Sequence, residues 1–97
     1  MVKHIILWKL KGDVSDPSAA KTEAKSRLES LVGQIPGLVS LTVQTNGLSS
    51  STADMMLDSA FTDAAALKIY QKHPLHLEAA GFVRSIVDMR LCLDFEI

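Results

Sequence analysis

The run Tyr70-Gln71-Lys72-His73-Pro74-Leu75-His76 holds two of the chain's three histidines and its only tyrosine. An unperturbed imidazole titrates near ~6.5, so His76 suits proton transfer at neutral pH without special tuning. Tyr70 precedes it across a helix end and a proline turn, a spacing that can aim both side chains into one cavity. There the phenol would orient a carbonyl or stabilise an enolate. Each residue also has a structural alternative. His76 could bond backbone at a junction of helices, and Tyr70 could be a core aromatic whose hydroxyl is satisfied by backbone. His73, before Pro74, sits at a helix C-terminus, where the dipole favours a cationic imidazole, and its role reads as structural.

Other chemistry is poorly supplied. His73 and His76, with Glu78 or Asp94, do not make a metal site, because Pro74 breaks regular helical spacing between them and zinc needs three or four ligands at tighter spacing. No metal and no cofactor are expected. Cys92 has neither a helix N-terminus nor a base near it in sequence, so a nucleophilic role is not expected. Ser49-Ser50-Ser51 reads as loop, Met55-Met56 as adaptable core and interface filling, and no glycine loop for phosphate is present.

The elements that must position these residues follow from periodicity. Val2 to Lys11 is an apolar β-forming strand with apolar residues on both parities, the look of a central strand. Asp16 as N-cap and Pro17 at the first helical position open a helix. Its stripe is Ala20, Ala24, Leu28, Leu31 and Ile35, ended by Gly33 and Pro36-Gly37. Val39, Leu41 and Val43 alternate with polar residues in an edge strand. Asn46-Gly47 and the serines form a loop. Ala53 to Phe61 is a third strand, with Met55, Leu57 and Phe61 on one parity. Thr62 or Asp63 caps a second helix, which Pro74 stops near Lys72. A short helical piece from Pro74 to Ala80, ended by Gly81, precedes a last strand from Ile86 to Ile97. On that strand Val87, Met89, Leu91, Leu93 and Phe95 alternate with polar residues.

The order predicts an α+β, ferredoxin-like βαββαβ fold: two right-handed crossovers and a four-stranded antiparallel sheet with two helices on one face. The other face would be bare, and an apolar patch of that kind is rarely left open. A homodimer with sheet packed on sheet covers it.

Size and composition agree. Ninety-seven residues suit a single domain, 1–97. An apolar content of 47% excludes disorder. The net charge of −1, with basic residues interleaved among acids, excludes a nucleic-acid stripe. A single cysteine forbids an intrachain disulfide and fits a reducing compartment. No apolar run reaches the ~20 residues of a spanning helix, and no secretory signal opens the chain. The expected location is the cytoplasm, with no membrane partner.

Val2-Lys3-His4-Ile5-Ile6-Leu7-Trp8-Lys9-Leu10, with Tyr70 through His76, resembles the stress-responsive A/B barrel (Dabb) family; Phe82-Val83-Arg84-Ser85 and Leu93-Asp94-Phe95 also fit. The resemblance spans essentially the whole chain. It implies a ferredoxin-like protomer that dimerises sheet to sheet into an α/β barrel, and it implies no single function. One plant member performs an aldol cyclisation of a linear polyketide without metal or cofactor, with a histidine base beside a tyrosine. That base matches His76, that tyrosine Tyr70, and its first-strand histidine His4. Met55 stands where that member has a further pocket histidine, and Ala24 and Leu28 where it has bulky aromatics, so its substrate does not carry over.

The expectation is a homodimeric Dabb-type protein binding a small apolar ligand between sheet and helices. His4, Ile6, Trp8, Leu28, Leu41, Leu57, Tyr70, His76 and Phe82 would edge the pocket. The enzymatic alternative is a cofactor-independent aldol-type cyclase or lyase, with His76 removing an α-proton and Tyr70 polarising the carbonyl. A further alternative is a structural or stress-protective oligomer without ligand.

Overall fold

A computed structural model describes all residues from 1 to 97. The elements are β1 (Val2–Leu10), α1 (Pro17–Glu29), β2 (Leu38–Gln44), β3 (Met55–Phe61), α2 (Ala64–Lys72), α3 (Pro74–Ile86) and β4 (Val87–Glu96). The sheet is antiparallel throughout, in the order β2-β3-β1-β4. Each helical connection therefore skips one strand, as in a ferredoxin-like fold.

Side chains of the first turns start the helices. Asp16 Oδ1 accepts the Ala19 amide at 3.0 Å, and Pro17 follows at the first helical position. Asp63 Oδ1 does the same for Ala66 at 2.8 Å. Each satisfies one of the amides that a helix start leaves without a partner. Glu29, at the end of α1, accepts from the Lys25 ammonium at 2.8 Å and from the Val43 amide at 2.9 Å. That pair fastens α1 to the edge strand β2.

Three boundaries depart from expectation. α1 stops at Glu29, and Leu31 and Ile35 reach the core from the turns beyond it. Gly33 and Gly37 take positive φ of 86° and 84°, conformations open to glycine at little cost. Val39 does not continue the β2 alternation: a register shift between Leu38 and Ser40 turns it to solvent and buries Leu38 instead. Gly81 does not end a helix. α3 runs from Pro74 through it to Ile86, because Val83 and Ile86 extend the buried stripe past the glycine. That burial outweighs the ~1 kcal/mol that glycine costs in a helix interior. The sheet is therefore covered by three helices, α2 and α3 being joined end to end.

The helices cover one face of the sheet. Val2, His4, Ile6 and Trp8 from β1 and Met55, Leu57, Ser59 and Phe61 from β3 are buried there. On the opposite face Leu7 pairs across strands with Leu91, and Ile5 with Leu93. Leu91 and Leu93 remain 63% and 65% exposed, with Leu7, Met89 and Phe95 also open. No helix is long and apolar enough to cross a membrane.

Candidate functional site

The junction of α2 and α3 builds the site. Pro74 forbids helical geometry at His73, which sits at φ −67°, ψ 134°. His73 therefore closes one helix and opens the next: its amide donates to Tyr70 O at 3.1 Å, and its Nδ1 accepts the Leu75 amide at 3.1 Å. The ring thus serves as the N-cap of α3, a structural role.

On one unbroken helix, residues six apart would point about 120° away from each other. The bend at His73 removes that divergence. The Tyr70 and His76 rings lie 4.2 Å apart between centroids, tilted by 42°. Phe61 packs against Tyr70 at 4.9 Å, and His4 meets Tyr70 edge-on at 6.4 Å. His4, from the first strand, thus shares one corner of the core with Tyr70 and His76.

They border a cavity of about 220 Å³ between β1, β4 and the α2–α3 pair. Its apolar wall is Ile6, Trp8, Leu28, Leu57, Ala80, Val83 and Val87, and its polar members are His4, Tyr70, Gln71, His76, Arg84 and Arg90. Of the residues expected at the pocket, His4, Ile6, Trp8, Leu28, Leu57, Tyr70 and His76 border it. Leu41 does not. It is buried on β2, which β3 separates from β1, and so belongs to the core. Phe82 does not either. On the continuous α3 it turns toward α1, where the Arg27 guanidinium lies 4.6 Å from its ring, and Val83 takes the inward place.

Tyr70 is only 1% exposed, and burial raises the pKa of its phenol. It is a proton donor throughout the physiological range. His76 has Nδ1 buried without a partner. Burial lowers its pKa; the Gln71 carbonyl opposes this, and His4, Arg84 and Arg90 reinforce it. His76 is thus a neutral imidazole with a free ring nitrogen, beside a protonated phenol.

His4, 2% exposed, is gripped from the neighbouring strand. Its cross-strand partner is Asp94, whose Oδ1 accepts from Nδ1. That fixes the orientation of the ring. Burial works to raise the Asp94 pKa, but the hydrogen bonds from His4 and Cys92 outweigh it and hold the carboxyl low. Cys92 Sγ lies 3.4 Å from Asp94 Oδ1 and 3.6 Å from His4 Nδ1. These three side chains offer ligand atoms within 4.8 Å of one another, the one group in the chain with the make-up of a metal site. It differs from the set considered on sequence, whose His73 caps α3. Burial, then Asp94, pushes the Cys92 thiol up, the opposite of what a nucleophile requires.

Sequence reasoning missed Gln71, Ala80, Val83, Arg84, Val87 and Arg90. The polar parity of β4 carried the signal: Arg90, Cys92 and Asp94 pair with Trp8, Ile6 and His4, all on the helix side of the sheet.

The family model for the stress responsive A/B barrel domain matches residues 2–97. A dimeric protein of unknown function with a ferredoxin-like fold from Bacteroides fragilis is 30% identical. The alignment covers 99% of this chain and 95% of that one, with a TM-score of 0.91. A dimeric ferredoxin-like protein of unknown function from Thermobifida fusca is 21% identical over 99% and 90% of the two chains, at a TM-score of 0.86. A hydroxynitrile lyase from Passiflora edulis is 17% identical over 99% and 92%, at 0.82. These last two likenesses show the fold alone. No curated protein matches the chain. With its strand order, its His-Pro-Leu-His junction and a family match spanning nearly every residue, the chain belongs to the stress responsive A/B barrel domain family.

Proposed function

We propose that this protein is a homodimer whose protomers each bind a small, largely apolar molecule in the cavity beside Tyr70 and His76. The observation that carries the reading is the close Tyr70–His76 ring pair bordering a hollow whose remaining wall is largely apolar side chains, Ile6, Trp8, Leu28, Leu57, Ala80, Val83 and Val87. A ligand's polar group would find the Tyr70 and His76 side chains at one side of the hollow and its apolar body the other wall. At about 220 Å³ the hollow is smaller than the ~300–1,000 Å³ usual for drug-sized ligands, so the occupant is small. The dimer rests on the open apolar sheet face and on relatives described as dimeric. The unpaired Cys92 supports a cytoplasmic setting.

The same corner favours a second reading, cofactor-independent proton transfer of the aldol-cyclase or lyase type. The neutral His76 would remove a proton α to a carbonyl, and the Tyr70 hydroxyl would donate to the developing enolate. The structural relative from Passiflora edulis is a lyase, which sets a precedent for this fold only.

A library of small carbonyl compounds, screened for thermal stabilisation, tests both. Binding predicts saturable stabilisation that follows ligand concentration. Any turnover found should vanish in His76→Ala and fall in Tyr70→Phe while the dimer persists. A library without a stabilising member would overturn the binding reading, and turnover unchanged in His76→Ala would remove the assigned base.

A further inference from the structure

The charge of the cavity is uneven in a way that the apolar reading leaves unused. Arg84 on α3 and Arg90 on β4 both border it, and both are exposed at the rim. No aspartate or glutamate borders it. The other cations near carboxylates are already engaged: Lys3 with Asp58, Lys25 with Glu29, and Arg27 with Glu23. Neither Arg84 nor Arg90 belongs to an ion pair. Arg90 lies close enough to Asp94 to help hold that carboxyl low, yet without a direct ion pair; in a chain of net charge −1, two guanidinium side chains bordering one cavity form a local positive mouth.

Guanidinium groups match carboxylates in plane and spacing, and they do so better than an ammonium. A small molecule entering with its apolar body against Ile6, Trp8 and Leu57 would leave its polar end at that mouth. We infer that the cavity selects small organic carboxylates, with Arg84 and Arg90 as the residues that set this selectivity. The inference rests on the reading that the cavity takes a small molecule, and it adds the ligand's chemical class.

Benzoate, benzamide and benzamidine have nearly one shape and carry charges of −1, 0 and +1. Their affinities for the intact protein, measured by two-dimensional NMR titration, separate charge selection from apolar fit. Benzoate should bind about tenfold or more tighter than benzamide, the effect of one charge-assisted contact, with benzamidine weakest. Added salt should narrow the gap. In Arg84→Gln/Arg90→Gln the benzoate advantage should disappear while benzamide binding is kept, which also reports that the variant is folded. Arg90→Lys should restore only part of it. Equal binding of benzoate and benzamide by the wild type would overturn the carboxylate inference and leave the cavity reading standing. A benzoate preference that survives in the double variant would overturn the two arginines. Binding of none of the three would overturn inference and cavity reading together.

Discussion

Replacing Leu91 with aspartate puts the proposed sheet-to-sheet dimer under direct load. Leu91 lies opposite Leu7 on the open face and is 63% exposed in the protomer. Burying a leucine fully is worth about 1.5–3 kcal/mol, so covering the exposed part contributes ~1–2 kcal/mol per protomer. Two-fold symmetry applies the loss twice, ~2–4 kcal/mol for each dimer. A carboxylate forced into an apolar interface adds a desolvation cost of several kcal/mol per copy. The dimer dissociation constant should therefore rise by on the order of 10³ or more. Leu91→Met, which conserves volume, should cost under about 1.5 kcal/mol and stay dimeric. Sedimentation velocity over a concentration series reads both variants. Leu91→Asp sedimenting as the wild type at every concentration would refute the reasoning, because no sheet-packed dimer tolerates a buried, unpaired carboxylate at that position.

Glycine substitutions give a paired test of the backbone account. Gly37→Ala should lower the melting temperature markedly: its φ is +84°, and a Cβ there would stand 2.5 Å from the Ala66 Cβ. Gly81→Ala should raise stability by about 0.5–1 kcal/mol, since Gly81 is helical and an added Cβ meets nothing nearer than the Arg84 guanidinium at 4.0 Å. Calorimetry that finds the two shifts equal in sign would contradict the α3 continuation. The His76 pKa is depressed in the folded protein, so below about 6.5 the unfolded chain takes up the proton first. Stability should then fall as pH drops through that value, and His76→Gln should flatten that part of the profile; denaturation midpoints that decline equally in both proteins would contradict a buried neutral imidazole.

Much of the fold was legible because local signals agreed with the final packing. Asp16, Asp63 and Pro74 mark helix ends by chemistry that acts within a few residues. The alternation of Val2, His4, Ile6 and Trp8 marks a face. Gly81 misleads because a glycine alone does not stop a helix when the apolar stripe resumes beyond it, as it does at Val83 and Ile86. The site was half legible. The His-Pro-Leu-His run brings Tyr70 and His76 together by a bend that proline dictates. The contribution of β4 was hidden. Its apolar parity, Met89, Leu91, Leu93 and Phe95, is turned away from the helices, and its polar parity carries Arg90 to the cavity and Asp94 to His4. An alternating strand states that its two faces differ, but which face meets the helices depends on what lies across the sheet. Leu41 and Phe82 lie outside the pocket because strand order and helix rotation, both tertiary properties, place them elsewhere.

The central claim is that the hollow beside Tyr70 and His76 takes a small molecule, and the protein carries its own reporter. Trp8 is the only tryptophan and borders the cavity. Fragment titrations followed by Trp8 fluorescence, in the wild type and in Ala80→Phe, whose new ring would fill the space, test it most directly. The account predicts saturable changes in the wild type that are lost in Ala80→Phe. Fragments that bind both proteins alike, or none that perturbs Trp8, would contradict it.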